Sequence, residues 1–241
     1  MKLYISMLIV LISFNVFSCD ICGGVSTPGS DGLLFGNQYH FIGLRAKYSH
    51  FQSFHRNTFS QDTTVSQERF MTTSITGRWQ FAKGFNTQLI VPYRINAQHI
   101  ENKNQLQHGL GDIRLLVNWM FLNQENAEGI SNYLALGLGI KAPTGSYSQD
   151  PWETSNISPG TGSWDPQFSL NYRLLKKQFN FQLENSFNLK TANKYGYQYG
   201  NAFNSTATAF YSFKTKKNNK IIPLVGVSYL FTETDRIDNY L

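Results

Sequence analysis

The two cysteines, Cys19 and Cys22, form the local motif that most directly suggests chemistry. Thiolates at this spacing could bind a soft metal such as copper or zinc, and they could undergo reversible redox chemistry. Lipidation of Cys19 is a third interpretation, because the preceding Val16-Phe17-Ser18 loosely resembles a lipoprotein cleavage box. No second cysteine pair could complete a zinc site. An oxidised or purely structural pair is therefore the default, with metal binding by Cys19 and Cys22 as an alternative.

Four histidines could contribute a second kind of metal site. His50 and His55 fall in one long polar segment, and His99 and His108 fall in or beside the next. Histidines gathered at one end of a protein could hold a metal ion, but histidines in loops are more often solvated. We therefore expect solvated side chains at these positions and no cofactor.

No catalytic pattern supports an enzyme. The chain contains no G-x-S-x-G nucleophile elbow. His99 could be paired with Ser148 or Ser155, but the spacing of these residues gives no support to a catalytic pair. We therefore expect that the protein is not an enzyme.

The N-terminal segment predicts export from the cytoplasm. Lys2 supplies a positive charge, and an apolar stretch runs from Leu3 to Phe17 before the small residue Ser18. This layout is typical of a signal peptide and is too short for a membrane-spanning anchor. We expect a signal peptide at residues 1–18, a cysteine-containing segment at 19–36, and one barrel domain at 37–241.

Composition favours a transmembrane β-barrel in the outer membrane. Aromatic residues make up 15% of the chain and charged residues also only 15%, whereas a soluble domain carries about 25% charged residues. No later apolar run is long enough for a membrane helix, which excludes a helical inner-membrane protein. The net charge of +6 is not clustered as a nucleic-acid surface would require. The expected partners are outer-membrane lipid and a small-molecule solute, without nucleic acid, and the sequence names no protein partner.

Alternation of polar and apolar residues predicts antiparallel strands, because successive side chains of a strand point to opposite faces. In residues 179–189 the apolar residues have odd numbers and the polar residues even numbers, with one exception. The nine predicted strands are 37–48, 69–81, 85–95, 112–121, 132–141, 168–174, 179–189, 198–213 and 220–231. Bacterial barrels normally have an even number of strands. The pattern thus predicts an all-β, antiparallel transmembrane barrel of about 10–12 strands when complete, with its C-terminal strand missing from this sequence.

The connections between these strands alternate in length. Short turns are predicted at 82–84, near 176–177 and at 215–219, with a somewhat longer one at 123–130. Long polar loops are predicted at 49–68, 97–108, 143–163 and 191–197. Short periplasmic turns and long outer loops are typical of bacterial barrels, so the first strand is expected to run outward.

The same alternation places five charged residues on the inner faces of the predicted strands. A basic side chain facing lipid near the bilayer midplane costs about 2–4 kcal/mol, which favours the inward orientation. These residues could form a selectivity ladder, or they could pair and fill a narrow barrel. The lumen-facing candidates are Arg94, Asp112, Arg114, Arg173 and Glu184.

Motifs at the strand ends resemble the outer-membrane β-barrel family of the phenol meta-pathway degradation proteins, which are transporter-like. They are Pro92-Tyr93, Gly109-Leu110-Gly111-Asp112, residues 136–145 ending in Pro143-Thr144-Gly145, and Gly160-Thr161-Gly162. The resemblance covers roughly residues 37–230 and implies a barrel that passes small, often hydrophobic or aromatic molecules. The physical interpretation of the motifs is that glycine and proline shape strand ends rather than contact a ligand.

Three functions remain at this point. The first is a channel or transporter for small molecules, which would need a continuous polar lumen. The second is a plugged barrel that acts as a binding or assembly component of a surface complex, metal-linked through the cysteine segment, with Trp152 and Trp164 in a docking loop. The third, an enzyme at the rim, ranks last.

Overall fold

The computed structural model of the protein describes residues 40–56, 63–100, 103–147, 157–214 and 220–237. The predicted signal peptide and the Cys19–Cys22 pair lie outside these residues, as does Trp152. No helix in the described ranges could cross a membrane.

The described residues form strands and connecting segments. Most strands are long enough to cross a bilayer, which takes about 9–11 residues at the usual tilt. The strands are β1 (Phe41–Arg56), β2 (Thr63–Ala82), β3 (Phe85–Ile100), β4 (Lys103–Leu110), β5 (Ile113–Glu125), β6 (Ile130–Ala142), β7 (Asp165–Lys176), β8 (Phe179–Asn188), β9 (Tyr197–Gln198), β10 (Ala202–Tyr211), β11 (Phe213–Lys214), β12 (Lys220–Ile221), β13 (Leu224–Thr232) and β14 (Arg236–Ile237).

One antiparallel sheet dominates the structure and curves into a half-barrel. Its order is β1-β2-β3-β5-β6-β7-β8-β10-β13, and β4 pairs with the outer part of β3. Neighbours in space are thus neighbours in sequence, as in a β-meander. The nine strands of this path correspond one to one to the nine predicted strands, so the predicted all-β antiparallel class is confirmed.

The two faces of the sheet differ as the alternation predicts. Along β3 the even-numbered side chains are buried from Asn86 to Gln98, whereas the odd-numbered side chains are half-buried or exposed. The buried side chains are mostly polar, and the exposed ones include Phe85, Tyr93 and Ile95. We call the buried, polar side of the sheet the inner face. Such an inversion of the usual soluble pattern is what a lipid-facing barrel requires.

Aromatic side chains gather on the outer face near the short turns. Phe85 stacks on Trp119 with ring centroids 6.1 Å apart, and Phe81 and Phe121 extend the row on either side. Tyr211 and Phe213 form a similar contact near the turn that follows β10. Aromatic girdles of this kind mark the interfaces between hydrocarbon and water in transmembrane barrels. The row therefore places one membrane boundary at the short-turn end.

Two segments predicted to be long loops are largely strand. Residues 49–68 contain the end of β1 and the start of β2, which stay paired as far as Arg56 and Thr63. Residues 97–108 contain the end of β3 and most of β4, which pair over eight positions. The prediction was wrong because it required apolar residues on alternate positions, whereas the ladder itself needs only backbone donors and acceptors. The hairpins thus continue beyond the apolar belt as polar strands.

Candidate functional site

The inner face carries the five charged residues that the sequence predicts to face the lumen. Arg94, Asp112 and Arg114 are buried, with exposed fractions of 6%, 2% and 8%. Arg173 and Glu184 are half-buried and line a cavity. The structure therefore divides the five residues between two places along the barrel, and their part in passage stays a prediction.

The cavity lies between the middle of the barrel and the short turns, and we call it the lower cavity. Its volume is about 100 Å³, enough for several water molecules. The lining is mainly amide and hydroxyl groups, with two arginines, one glutamate and a few apolar side chains. These residues are Arg78, Asn86, Gln88, Ile90, Leu116, Asn118, Tyr133, Ala135, Gln167, Ser169, Asn171, Tyr172, Arg173, Gln182, Glu184, Asn185, Ser186 and Asn204.

Arg173 projects into the lower cavity from β7. Its Nη2 donates to Asn180 Oδ1 at 2.8 Å, and its guanidinium lies 5.7 Å from the Tyr133 ring centroid and 5.8 Å from that of Phe210. The opposite wall contributes Arg78, whose Nε donates to Asn86 Oδ1 at 3.1 Å. The charge of Arg78 is influenced by both Arg173 and Glu184. Two like charges therefore face the same small space.

The long-loop end of the barrel is occupied by residues 157–163, which we call the inner segment. Ile157 has an exposed fraction of 0% and Ser163 one of 2%. Its backbone is held from two sides, because Asn96 of β3 donates to the Ile157 carbonyl at 2.9 Å and Asn193 donates to the Thr161 carbonyl at 3.2 Å. The segment therefore lies folded against the inner face rather than out in solvent.

A cluster of charged and hydroxyl side chains holds the inner segment in place. We call it the rim cluster, and it consists of Asp112, Lys141, Thr161, Ser163, Asp165 and Lys190. Asp112 Oδ2 accepts from the Thr161 backbone N at 2.9 Å and from Thr161 Oγ1 at 2.8 Å, and it lies 3.2 Å from Lys141 Nζ. The other oxygen of Asp112 accepts from the Gly145 backbone N at 3.0 Å. One carboxylate thus joins β5, β6 and two loops.

Asp165 is the second carboxylate of the rim cluster. Its Oδ2 lies 2.5 Å from Lys141 Nζ and 3.0 Å from Lys190 Nζ, and its Oδ1 accepts from Ser163 Oγ at 2.9 Å. Burial, together with the charge of Lys141, lowers the pKa of the Lys190 ammonium to about 8, although Asp165 acts in the opposite direction. Two carboxylates and two ammonium groups balance one another, so the cluster carries no net charge when all four are ionised.

Glycines of three family-like motifs meet beside the rim cluster. A Cβ added to Gly145 would lie 2.7 Å from the Gly160 Cα and 2.9 Å from the Gly111 carbonyl carbon. The Gly160 backbone N donates to the Ser146 carbonyl at 2.8 Å. No side chain fits between backbones at this separation. The motifs therefore shape one packed junction between strand ends, as their physical interpretation predicts.

Comparison with known proteins identifies the family. A family model described as "Putative MetA-pathway of phenol degradation" matches residues 44–239. The chain belongs to this family. The match covers most of the chain and contains the junction of motif glycines, so the resemblance predicted from the motifs is confirmed.

The fold is shared with a solved outer-membrane protein. The crystal structure of an outer-membrane channel from Pseudomonas putida F1 resembles the chain with a TM-score of 0.51 and 12% sequence identity. The likeness covers 85% of this chain and 79% of that one. A comparison with curated proteins found no match to this chain. The chain thus shares the antiparallel β-barrel fold of an outer-membrane channel, as the strand pattern predicts.

Several residues of the site were not found from the sequence. Lys141 lies on a strand whose inward positions include Gly137 and Gly139, so no polar alternation marked it, although its odd number placed it on their face. Asp165 and Lys190 lie at strand ends, where the alternation stops. Arg78 falls in the weakly patterned β2, and its position on the inner face could have been found by counting forward in steps of two from Ser74 and Thr76.

The histidines lie on strands rather than in loops. His50 is in β1, His99 in β3 and His108 in β4. His108 Nδ1 lies 3.2 Å from the Tyr93 hydroxyl, and His99 Nδ1 lies 2.5 Å from Asn104 Oδ1. Within the described ranges, no three histidine, cysteine, aspartate or glutamate residues come together as a metal site.

Proposed function

We propose that the protein is an outer-membrane channel that passes small solutes through the interior of its barrel. One observation carries the proposal: a cavity lined by amides, hydroxyls and charged groups lies inside a sheet whose other face is apolar. Buried polar groups of this number are costly in a dry core but are expected along a water-filled path. Membership of the family and the likeness in fold to an outer-membrane channel support this function.

The lining favours polar solutes over the hydrophobic or aromatic molecules that the family resemblance implies. Buried or half-buried basic residues outnumber acidic ones on the inner face of the described strands. On these strands or just beyond their ends, the basic residues are Arg45, Lys47, Arg78, Arg94, Arg114, Lys141, Arg173 and Lys190, and the acidic ones are Glu68, Asp112, Asp165 and Glu184. Because the rim cluster neutralises itself, the excess positive charge acts mainly elsewhere on the path.

Planar-bilayer recording of the refolded, full-length protein tests the channel. We expect steady unitary currents in KCl, with an ion preference that shifts when Arg114 is changed to Ala. Silence from a protein shown to be folded by its heat-modifiable migration in electrophoresis would contradict the proposal.

A second candidate function is a plugged barrel that binds a partner, and the inner segment favours it. The segment is buried at the long-loop end and is held by the fully bonded rim cluster. In this case the wild-type barrel would be closed to ions and Asp112→Asn, which loosens the segment, would open it. A wild-type barrel that already conducts as well as the variant would exclude the plugged state.

A further inference from the structure

We propose that the lower cavity contains a binding site for a small carboxylate, with the Arg173 guanidinium as its principal donor. The inference deepens the proposed channel function and rests on it for its biological meaning. It concerns the solute class, whereas the channel proposal concerns only passage.

The positive charge of Arg173 lies in an environment without a counter-charge. Among the described residues no carboxylate forms an ion pair with Arg173, whose partners are one amide oxygen and two aromatic rings. A half-buried guanidinium usually lies beside a carboxylate, because burial without a counter-charge is costly. The rings of Tyr133 and Phe210 lie within cation–π distance of the guanidinium, but neither ring supplies the negative charge of a carboxylate.

The Arg173 guanidinium also has a hydrogen-bond donor without a partner. Arg173 Nε is buried and has no hydrogen-bond partner within the described part of the chain, and the same holds for Ser186 Oγ. Both residues line the lower cavity. Buried polar groups are nearly always satisfied, so two unsatisfied groups around one space indicate a missing partner. That partner must accept hydrogen bonds, since a guanidinium only donates.

A second arginine lies in the lining of the lower cavity. Arg78 lines the same cavity from β2 and its charge interacts with that of Arg173. Two like charges repel, and an anion between them relieves the repulsion. Guanidinium groups match a carboxylate by donating two parallel hydrogen bonds. Glu184 lies close enough to influence Arg78, and it therefore limits how strongly an anion is held, which suits a solute that must also leave.

The size of the lower cavity and the rest of its lining fit a small solute. About 100 Å³ accommodates a solute of only a few non-hydrogen atoms. Amides such as Gln88 and Asn118 can bond the second carboxylate oxygen, while Ile90 and Leu116 offer a small apolar surface. A short monocarboxylate fits both kinds of lining better than a cation, which the arginines would repel.

The test is a direct binding measurement in detergent with acetate as the probe. Saturation-transfer NMR on the refolded, full-length protein reports binding without requiring an open channel. Acetamide, which has the same shape and no charge, is the matched control ligand. We expect binding of acetate and not of acetamide, with at least tenfold weaker binding of acetate in Arg173→Gln, because a charge-assisted hydrogen bond contributes more than a neutral one.

Two further variants sharpen the result. Glu184→Gln should strengthen acetate binding, since it removes the competing negative charge. Lys83→Gln removes one positive charge from an exposed turn and should leave binding unchanged. Equal binding of acetate and acetamide, or equal acetate affinity in Arg173→Gln and wild type, would overturn the site.

A wild-type readout covers the case in which Arg173→Gln does not fold. The ¹⁵Nε resonance of Arg173 should shift when acetate is titrated, and its failure to shift while saturating acetate is present would also overturn the site.

The two proposals fail separately. A barrel that conducts but does not bind acetate disproves only the carboxylate site, whereas one that binds acetate and never conducts disproves only the channel.

Discussion

The rim cluster and the lower cavity lie on the same inner face, yet they differ in how their charges are satisfied. At the rim, both carboxylates accept from backbone and hydroxyl donors and contact lysine ammonium groups within 3.2 Å. In the cavity, Arg173 has one amide partner and a buried Nε without a partner among the described residues. Paired charges fix a structure, whereas an incompletely satisfied charge is available to a solute. In our proposal, the rim closes the long-loop end of the barrel and the cavity recognises the solute.

The largest expected effect comes from breaking the rim cluster. Asp112→Asn removes the buried carboxylate that bonds Thr161, Gly145 and Lys141. We expect a loss of about 3–5 kcal/mol in the free energy of unfolding, because the partners are left buried and uncompensated. Urea unfolding in lipid vesicles, followed by tryptophan fluorescence, measures it. Glu128→Gln at an exposed turn is the control. Equal effects of the two variants would contradict the claim that the rim cluster stabilises the fold.

A smaller effect is expected from the glycine junction beside the rim. A Cβ on Gly160 would lie 2.6 Å from the Gly145 carbonyl carbon, so Gly160→Ala must push the two loops apart. Overpacking of this kind costs about 1–3 kcal/mol. In Gly43→Ala the added carbon meets only the Phe41 ring at an ordinary 3.5 Å. The comparison fails if both alanines have the same unfolding midpoint.

The titration of Lys190 gives a pH-dependent signature of the rim. Its pKa is lowered to about 8, against about 10.4 for a free lysine. Between these values the unfolded chain binds more protons, so this group makes folding more favourable as pH rises from 8 to about 10.4, by at most about 1.4 kcal/mol per pH unit. The lysine ¹³Cε shifts should show one midpoint near 8 that is absent in Lys190→Met. A midpoint above 10 would mean that the ammonium is not buried as described.

The smallest effect on stability is expected in the lower cavity. Arg173→Gln removes one hydrogen bond and two cation–π contacts but also a charge that no described carboxylate pairs, so the free energy of unfolding should change by only about 1 kcal/mol. The same change should reduce the anion preference of the open channel. Unfolding curves and reversal potentials measured on one preparation separate the effect on stability from the effect on anion preference. A loss as large as that of Asp112→Asn would show that Arg173 supports the fold instead.

The sequence predicts the fold better than the site, for a physical reason. The side-chain period of two along β3 and β8 reports directly which residues face inward, so Arg94 and Glu184 were placed by counting. The rim cluster depends on residues 157–163 folding back against strands distant in sequence. No local period encodes that contact. The motif glycines lie beside the rim cluster, but their contact with one another joins three separate chain segments and could not be predicted from any one of them.

The limits of the alternation pattern appear at both ends of the strands. The polar extensions of β1 to β4 were predicted to be loops because their inward and outward residues are similarly polar. Lys141 was not predicted to face inward, because Gly137 and Gly139 at the preceding inward positions of β6 have no polar side chain to show the alternation. In both cases the strands stay paired through their backbones although polar and apolar side chains no longer alternate. The hydropathy pattern therefore marks the part of each strand that lies in the membrane, and not the whole strand.

The most direct test of the account is the paired recording of conductance and reversal potential in planar bilayers, with Asp112→Asn and Arg173→Gln beside the wild-type protein. The account predicts that Asp112→Asn raises the unitary conductance and leaves the reversal potential nearly unchanged. It predicts the converse for Arg173→Gln, a shift of the reversal potential towards cations with little change in conductance at symmetric salt. No current from any of the three folded proteins, or the same change in both variants, would contradict the division between a closing rim and a selecting cavity.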